Sequence, residues 1–316
     1  MKTKLSLAVT CLVAILFATF GKNSYERRKK MKKSKMLTLG LVIMAFTFVG
    51  TWAYAQETPS KEPAKSKWEF DLIPYFWMAG LSGDMTVKGV PLSVRESFSE
   101  IWSNLDFGAQ MHMEARKGRW GLFLDGTYLS LSSSGDATRV RSGAGGRLEL
   151  TTQVNVDVDI KEWLVEFGGT YNAARWPLGT GGSALALDIL GGGRYWYVNT
   201  DVDVGINQTL GDFGRYLSPS ISATKDWIDP FVGARLIFEL PKNFVVALRS
   251  DVGGFDVGSK ISWNLLGMVG YNISRVVSLW AGYRALYVDY ESGSGTDKFV
   301  YNVWMYGPVV GMGFRF

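Results

Sequence analysis

Alternation with a period of two residues, sustained over segments of ten or more, is the property that most restricts this chain. In "DFGAQMHMEARKGRWGLFLDGTYLSLS", Phe107, Ala109, Met111, Met113 and Ala115 share one parity. Asp106, Gly108, Gln110, His112, Glu114 and Arg116 share the other. Residues 117–119, "KGR", read as a tight turn. Beyond it, Trp120, Leu122, Leu124, Gly126 and Tyr128 alternate with Gly121, Phe123, Asp125 and Thr127. Successive side chains of a strand point to opposite faces, so each segment is a strand with one apolar and one polar or small face. The pattern recurs in "KEWLVEFGGTYN", "DPFVGARLIFEL", "NFVVALRSDV" and "RVVSLWAGYRALYVDY".

A soluble sandwich also alternates. Here the strands are long, aromatics gather near their ends, and small residues with mixed charges lie opposite, which suits a barrel with lipid outside and a narrow polar interior. The expected fold is all-β, a transmembrane up-and-down antiparallel β-barrel. Connections alternate in length. Those at 117–119, 240–243 and 272–275 are short and 176–182 is somewhat longer, while those near 82–104, 133–147, 205–226 and 290–298 are long. Placing short turns in the periplasm and long loops outside gives ten strands, with eight or twelve as alternatives. They lie near 68–81, 105–116, 119–132, 148–175, 184–204, 227–240, 243–255, 259–272, 275–290 and 298–316. Segment 148–175 exceeds the ~9–11 residues one crossing needs. Either 148–159 extends above the membrane or it supplies extra strands. "DMTVKGVPLSVRE" poses the same question.

The N-terminal part reads differently. "MKKSKMLTLGLVIMAFTFVGTWAYAQ" has a basic start, an apolar run over 37–50 and the small-x-small site Ala53-Tyr54-Ala55, so residues 31–55 read as a signal peptide cleaved after Ala55. Residues 1–30 read as a start assigned too early or an extra leader. Residues 56–67, "QETPSKEPAKSK", read as a periplasmic tether, and 68–316 as the barrel. The formal charge of +5 belongs to the leader. Residues 1–55 hold ten of the 34 Lys and Arg but one of the 29 acids, so the remainder carries 24 bases and 28 acids. That net of −4 excludes the clustered basic surface of a nucleic-acid binder. Cys11 is the only cysteine, so the mature chain has neither a disulfide nor a thiol nucleophile.

The closing "YGPVVGMGFRF" resembles the terminal-strand signal of Gram-negative outer-membrane β-barrels, with Phe316 last and Phe314 two before it. With "PYFWMAGLSG" and "GYRALYVDY", it resembles an uncharacterised proteobacterial group of such proteins. The resemblance implies residence in the bacterial outer membrane. The implied partners are outer-membrane lipid and, during biogenesis, the barrel-assembly machinery. It transfers no catalytic residue. A monomer is expected.

The sequence offers little for catalysis. Outer-membrane hydrolases need His with acidic pairs at the external rim, or His with Ser. The single histidine, His112, lies five residues before a short turn on the inward parity, where Glu114 or Glu162 could partner it. One His without a His or Cys neighbour makes a poor metal site, and no segment forms a phosphate loop, so no cofactor is expected. The inward parity carries the acids Glu69, Asp71, Glu114, Asp125, Glu162, Glu166, Asp188, Asp229, Glu239 and Asp251. It also carries Arg116, Arg194, Arg235, Arg249, Arg284 and Arg315. Interleaved in a narrow lumen these charges should pair, because an unpaired buried charge is costly. The expected role is a structural or interaction protein, or a narrow channel for small solutes. The alternatives are a hydrolase using His112 and an adhesin acting through external loops, of which residues 139–147 are basic and Gly-rich. In "SFSEIWSNL", Ser97 and Glu100 fit a capping box. Phe98, Ile101, Trp102 and Leu105 follow at helical spacing, which predicts a short helix that packs on the rim or plugs the mouth.

Overall fold

The period-two segments become strands, ten of which are paired along both edges. The computed structural model describes residues 67–316 apart from 143–148, 180–181, 211–212 and 219. The leader, cleavage and tether expectations fall on residues outside these, as does most of the basic 139–147 loop. The strands are β1 (Glu69–Trp77), β2 (Gly80–Val87), β3 (Val90–Glu96), β4 (Leu105–Lys117), β5 (Trp120–Ser142), β6 (Glu149–Leu178) and β7 (Ser183–Leu210). They continue with β8 (Phe213–Leu217), β9 (Ser220–Glu239), β10 (Phe244–Gly253), β11 (Ile261–Asn272), β12 (Val277–Ser292) and β13 (Phe299–Arg315). One short helix, α1 (Phe98–Ser103), precedes β4.

Ten of these strands form a closed ring in the order β1-β4-β5-β6-β7-β9-β10-β11-β12-β13, and β13 returns to β1. Closure pairs Asp71 with Arg315, Leu72 with Phe314 and Phe76 with Val310. Backbone bonds between Phe70 and Phe316 run in both directions. No ring edge is left unpaired, which a hydrocarbon environment demands of a sheet. The expected ten-strand count and order therefore hold.

The described part of segment 148–175 lies in one strand, β6. β6 pairs along its length with β5 and β7, from Leu150 to Leu178 against β7. Its upper part rises above the barrel and extends the sheet, as the first alternative expected. "DMTVKGVPLSVRE" is no crossing pair. β2 continues the path of β1 along β13, from Gly80 opposite Tyr306 to Thr86 opposite Val300, and β3 folds back on β2.

The outward face carries a band of defined height. Trp120 packs on Tyr171 at 4.7 Å near the turn end, and Tyr128 on Trp163 at 4.4 Å near the loop end. Between these girdles run residues 120–128 of β5 and 163–171 of β6, close to the ~9–11 residues of one crossing. Above them the outward positions turn polar, at Ser130 and Ser132 on β5 and Lys161, Asp159 and Asp157 on β6. On β13, Val310, Met312 and Phe316 are exposed on the outer side.

The interior differs from the uniformly polar lumen the alternation suggested. Its loop half is an apolar core in which Trp196, Val198, Leu286, Val288, Phe299, Tyr301 and Val303 are buried. Trp227 stacks on Tyr290 at 3.9 Å and on Trp196 at 5.6 Å. A small barrel fills with side chains. Once they exclude water, each large apolar group contributes about 1.5–3 kcal/mol by burial.

Helix α1 forms where expected. The Ser97 hydroxyl accepts from the Glu100 backbone N–H, and the Glu100 carboxylate accepts from the Ser97 N–H at 2.7 Å. Its position corrects the plug expectation for Phe98, Ile101, Trp102 and Leu105. The rings of Phe98 and Trp102 lie 5.8 and 5.4 Å from that of Phe76, which shares the outward parity of Phe70 and Leu72. Trp102 is 55% exposed. The helix packs on the outer wall, and the mouth it would enter is already filled by the aromatic core.

Candidate functional site

Period two on ten tilted strands brings inward charges from distant parts of the chain to the same height. Two linked tiers of ions result. In the lower tier, Glu114 of β4 accepts from Arg116 at 2.7 Å and from both terminal nitrogens of Arg235 at 2.8 Å. Asp188 of β7 accepts from Arg116 at 3.0 Å, Arg235 at 2.9 Å and Asn172 at 2.8 Å.

The upper tier centres on Glu166 of β6. It accepts from Arg194 at 3.0 Å, Arg249 at 2.8 Å and Arg284 at 2.7 Å. Asp251 accepts from Arg194 at 2.6 Å, Arg249 at 2.8 Å and Asn264 at 2.9 Å. Asp125 takes the Tyr75 hydroxyl at 2.8 Å, lies 3.0 Å from His112 Nδ1 and meets Arg284 at 3.5 Å. The guanidinium groups also lie over aromatic faces, with Arg194 5.0 Å from Phe231 and Arg284 4.9 Å from Trp77. Such contacts favour a desolvated cation. Glu166 and Arg194 are 0% exposed.

Five carboxylates (Glu114, Asp125, Glu166, Asp188, Asp251) thus meet five arginines (Arg116, Arg194, Arg235, Arg249, Arg284). Charge-assisted bonds with a fork geometry fix both partners. The arrangement is a cross-brace: β4, β5, β6, β7, β9, β10 and β12 are tied through the middle of the barrel.

Other charges singled out in the sequence lie apart from this brace. Asp71 and Arg315 pair at 2.8 Å beside the β1–β13 closure. Glu69 is exposed at the turn-end rim. Glu239 pairs with Arg175, a residue the parity argument left out. Asp229 takes no arginine. It accepts from the Ser259 N–H at 2.6 Å, the Ser259 hydroxyl at 2.8 Å and the Trp196 indole at 3.1 Å. Glu162 takes the Tyr301 hydroxyl at 3.3 Å and does not reach His112, whose partners are Asp125 and, at 3.7 Å, Glu114. Tyr75, Trp77, Asn264, Phe123 and Phe231 complete the brace, and their inward parity was the available signal.

Among the described residues, the His112 partners are carboxylates and include no hydroxyl nucleophile. No group of three His, Cys, Asp or Glu among them is placed to share a metal ion.

A sealed antiparallel ring, an apolar belt of one crossing's height and a cross-braced interior define a transmembrane β-barrel. No family model matches the chain, and no curated protein does. It is similar to solved structures of Gram-negative outer-membrane β-barrels. The translocator domain of the autotransporter NalP from Neisseria meningitidis is 14% identical, with 91% of this chain and 98% of that one covered, at a TM-score of 0.35. The attachment invasion locus protein Ail of Yersinia pestis is 12% identical over 79% of this chain and 99% of that one, at 0.28. The outer membrane protease OmpT from Escherichia coli is 10% identical over 82% and 99%, at 0.32. Likeness at this level concerns fold alone, and the barrel assignment stands on the strand pairings.

Proposed function

We propose that this protein is an outer-membrane β-barrel that serves as a structural or interaction scaffold rather than as an open diffusion channel. The Glu166 tier supports this most directly. A carboxylate with no exposed surface, holding three arginines from three strands, sets paired side chains across the lumen at its height. The aromatic core above it doubles the barrier. The sheet raised by β5, β6 and β7 above the belt is the part available for contacts outside the cell. The apolar belt and the aromatic-ended terminal strand support residence in the outer membrane and assembly by the barrel machinery.

Planar-bilayer recording tests this proposal. The purified barrel is expected to give no discrete conductance steps. Reproducible unitary steps from the wild-type protein would overturn the scaffold reading in favour of a narrow channel.

A further inference from the structure

Beneath the ion brace lies a cavity of about 660 Å³ whose walls reach the turn-end residues Leu240, Lys242 and Asn243. That size falls within the ~300–1,000 Å³ of small-ligand sites. Its wall mixes apolar and charged groups. From β10 through β11, β12 and β13 to β1, five consecutive members of the ring, the lining includes Val245, Ala247, Leu266, Met268, Trp280 and Ile73. The rest of the ring contributes His112, Arg116, Arg175 and Arg235 together with the carboxylates Glu114, Asp125 and Glu239. The β10–β1 arc also carries Arg249, Arg284 and Arg315 with Glu69 and Asp71. In all, seven Lys and Arg line it against five Asp and Glu.

A vestibule that only admits water and ions has no use for an apolar arc. Ligand sites, by contrast, combine an apolar wall with a few placed polar groups. Arg116 suits the polar role. It gives Nε to Glu114 and Nη2 to Asp188, its Nη1 donors take no part in those bonds, and its side chain is 29% exposed.

We propose that the lower lumen is a blind pocket for a small amphipathic anion. The apolar body lies against Val245, Ala247, Leu266, Met268, Trp280 and Ile73, and a carboxylate or phosphate head meets Arg116. The ligand enters from the turn end, the periplasmic side. The pocket is blind only if the lumen is closed, so that part rests on the scaffold reading.

The test uses the full barrel in zwitterionic-lipid nanodiscs with ¹³C-methyl methionine, and decanoate as the probe. Met268 lines the pocket, whereas Met111 and Met312 lie on the outer face. Decanoate is expected to shift the Met268 methyl saturably, while Met111 and Met312 drift linearly as lipid takes up the acid. Decanol and decyltrimethylammonium should leave Met268 unsaturated. Ala247→Trp, which fills the pocket from the apolar side, should abolish the saturable shift. Arg116→Gln should weaken it about tenfold, the loss of one charge-assisted bond. No saturable Met268 shift, an equal response to the cation, or an unchanged response in Ala247→Trp would each overturn the pocket. A barrel that conducts yet binds decanoate loses the scaffold reading and keeps the pocket. A silent barrel without the Met268 response loses the pocket alone.

Discussion

At the residue scale, Glu166 concentrates the most consequence. Its carboxylate bridges three buried arginines, which Asp251 and Asp125 also pair. Removing one partner of a buried ionic cluster leaves uncompensated charge and costs about 3–5 kcal/mol. Glu166→Gln is therefore expected to lower the free energy of unfolding in detergent by about that amount, and an unfolding free energy within error of wild type would refute the brace. A second residue-scale prediction concerns water-exposed charge. Lys260 and Lys298 flank Glu291 beyond the loop-end girdle and draw its carboxyl from 4.5 down to about 2. A carboxyl lowered on folding contributes stability above its unfolded value and loses it as pH falls toward the folded one. The contribution of the Lys260–Glu291–Lys298 group is thus complete above about pH 4.5 and disappears toward pH 2. Carboxyl NMR titration of Glu291 should show the low midpoint, and Lys260→Ala with Lys298→Ala should return it toward 4.5.

At the element scale, α1 and the central glycines show how local signals meet tertiary placement. The capping box made the helix legible from "SFSE", because its hydrogen bonds lie within four residues. Which wall the helix meets depends on Phe76, more than twenty residues upstream and outward by parity. Trp102→Ala should leave conductance unchanged and shift the helix's environment only at the membrane interface. A rise in conductance would return the helix to the mouth. The run Gly191–Gly193 reads in sequence as a bend or a tight contact. The structure shows the contact: a Cβ on Gly192 would lie 2.0 Å from the Phe167 carbonyl oxygen, across the β6–β7 pair.

For the whole molecule, closure is the governing fact. The ring joins Asp71 to Arg315 and leaves no edge, so the barrel should resist detergent until heated. Unheated and boiled samples should migrate differently in electrophoresis, and identical mobility would refute a stable barrel. The inward charges follow the same logic. Their parity was plain in sequence, as was the need to pair. Their partners were not, since Glu114 meets Arg235 across 121 residues of chain and Asp125 meets Arg284 across 159.

Taken alone, the amino-acid order determined every feature with a short range. Period two assigned each residue to lipid or lumen, and connection length ordered the ten strands. The capping box started α1, and the final Phe314 and Phe316 took the outward parity. The tertiary structure decided what depends on height within the barrel. Parity states that a side chain points inward but not how far up it lies or what stands opposite. Strand tilt and register supply that third coordinate. They separate the aromatic core, the ionic brace and the pocket beneath it, though all three are written in one alternating pattern.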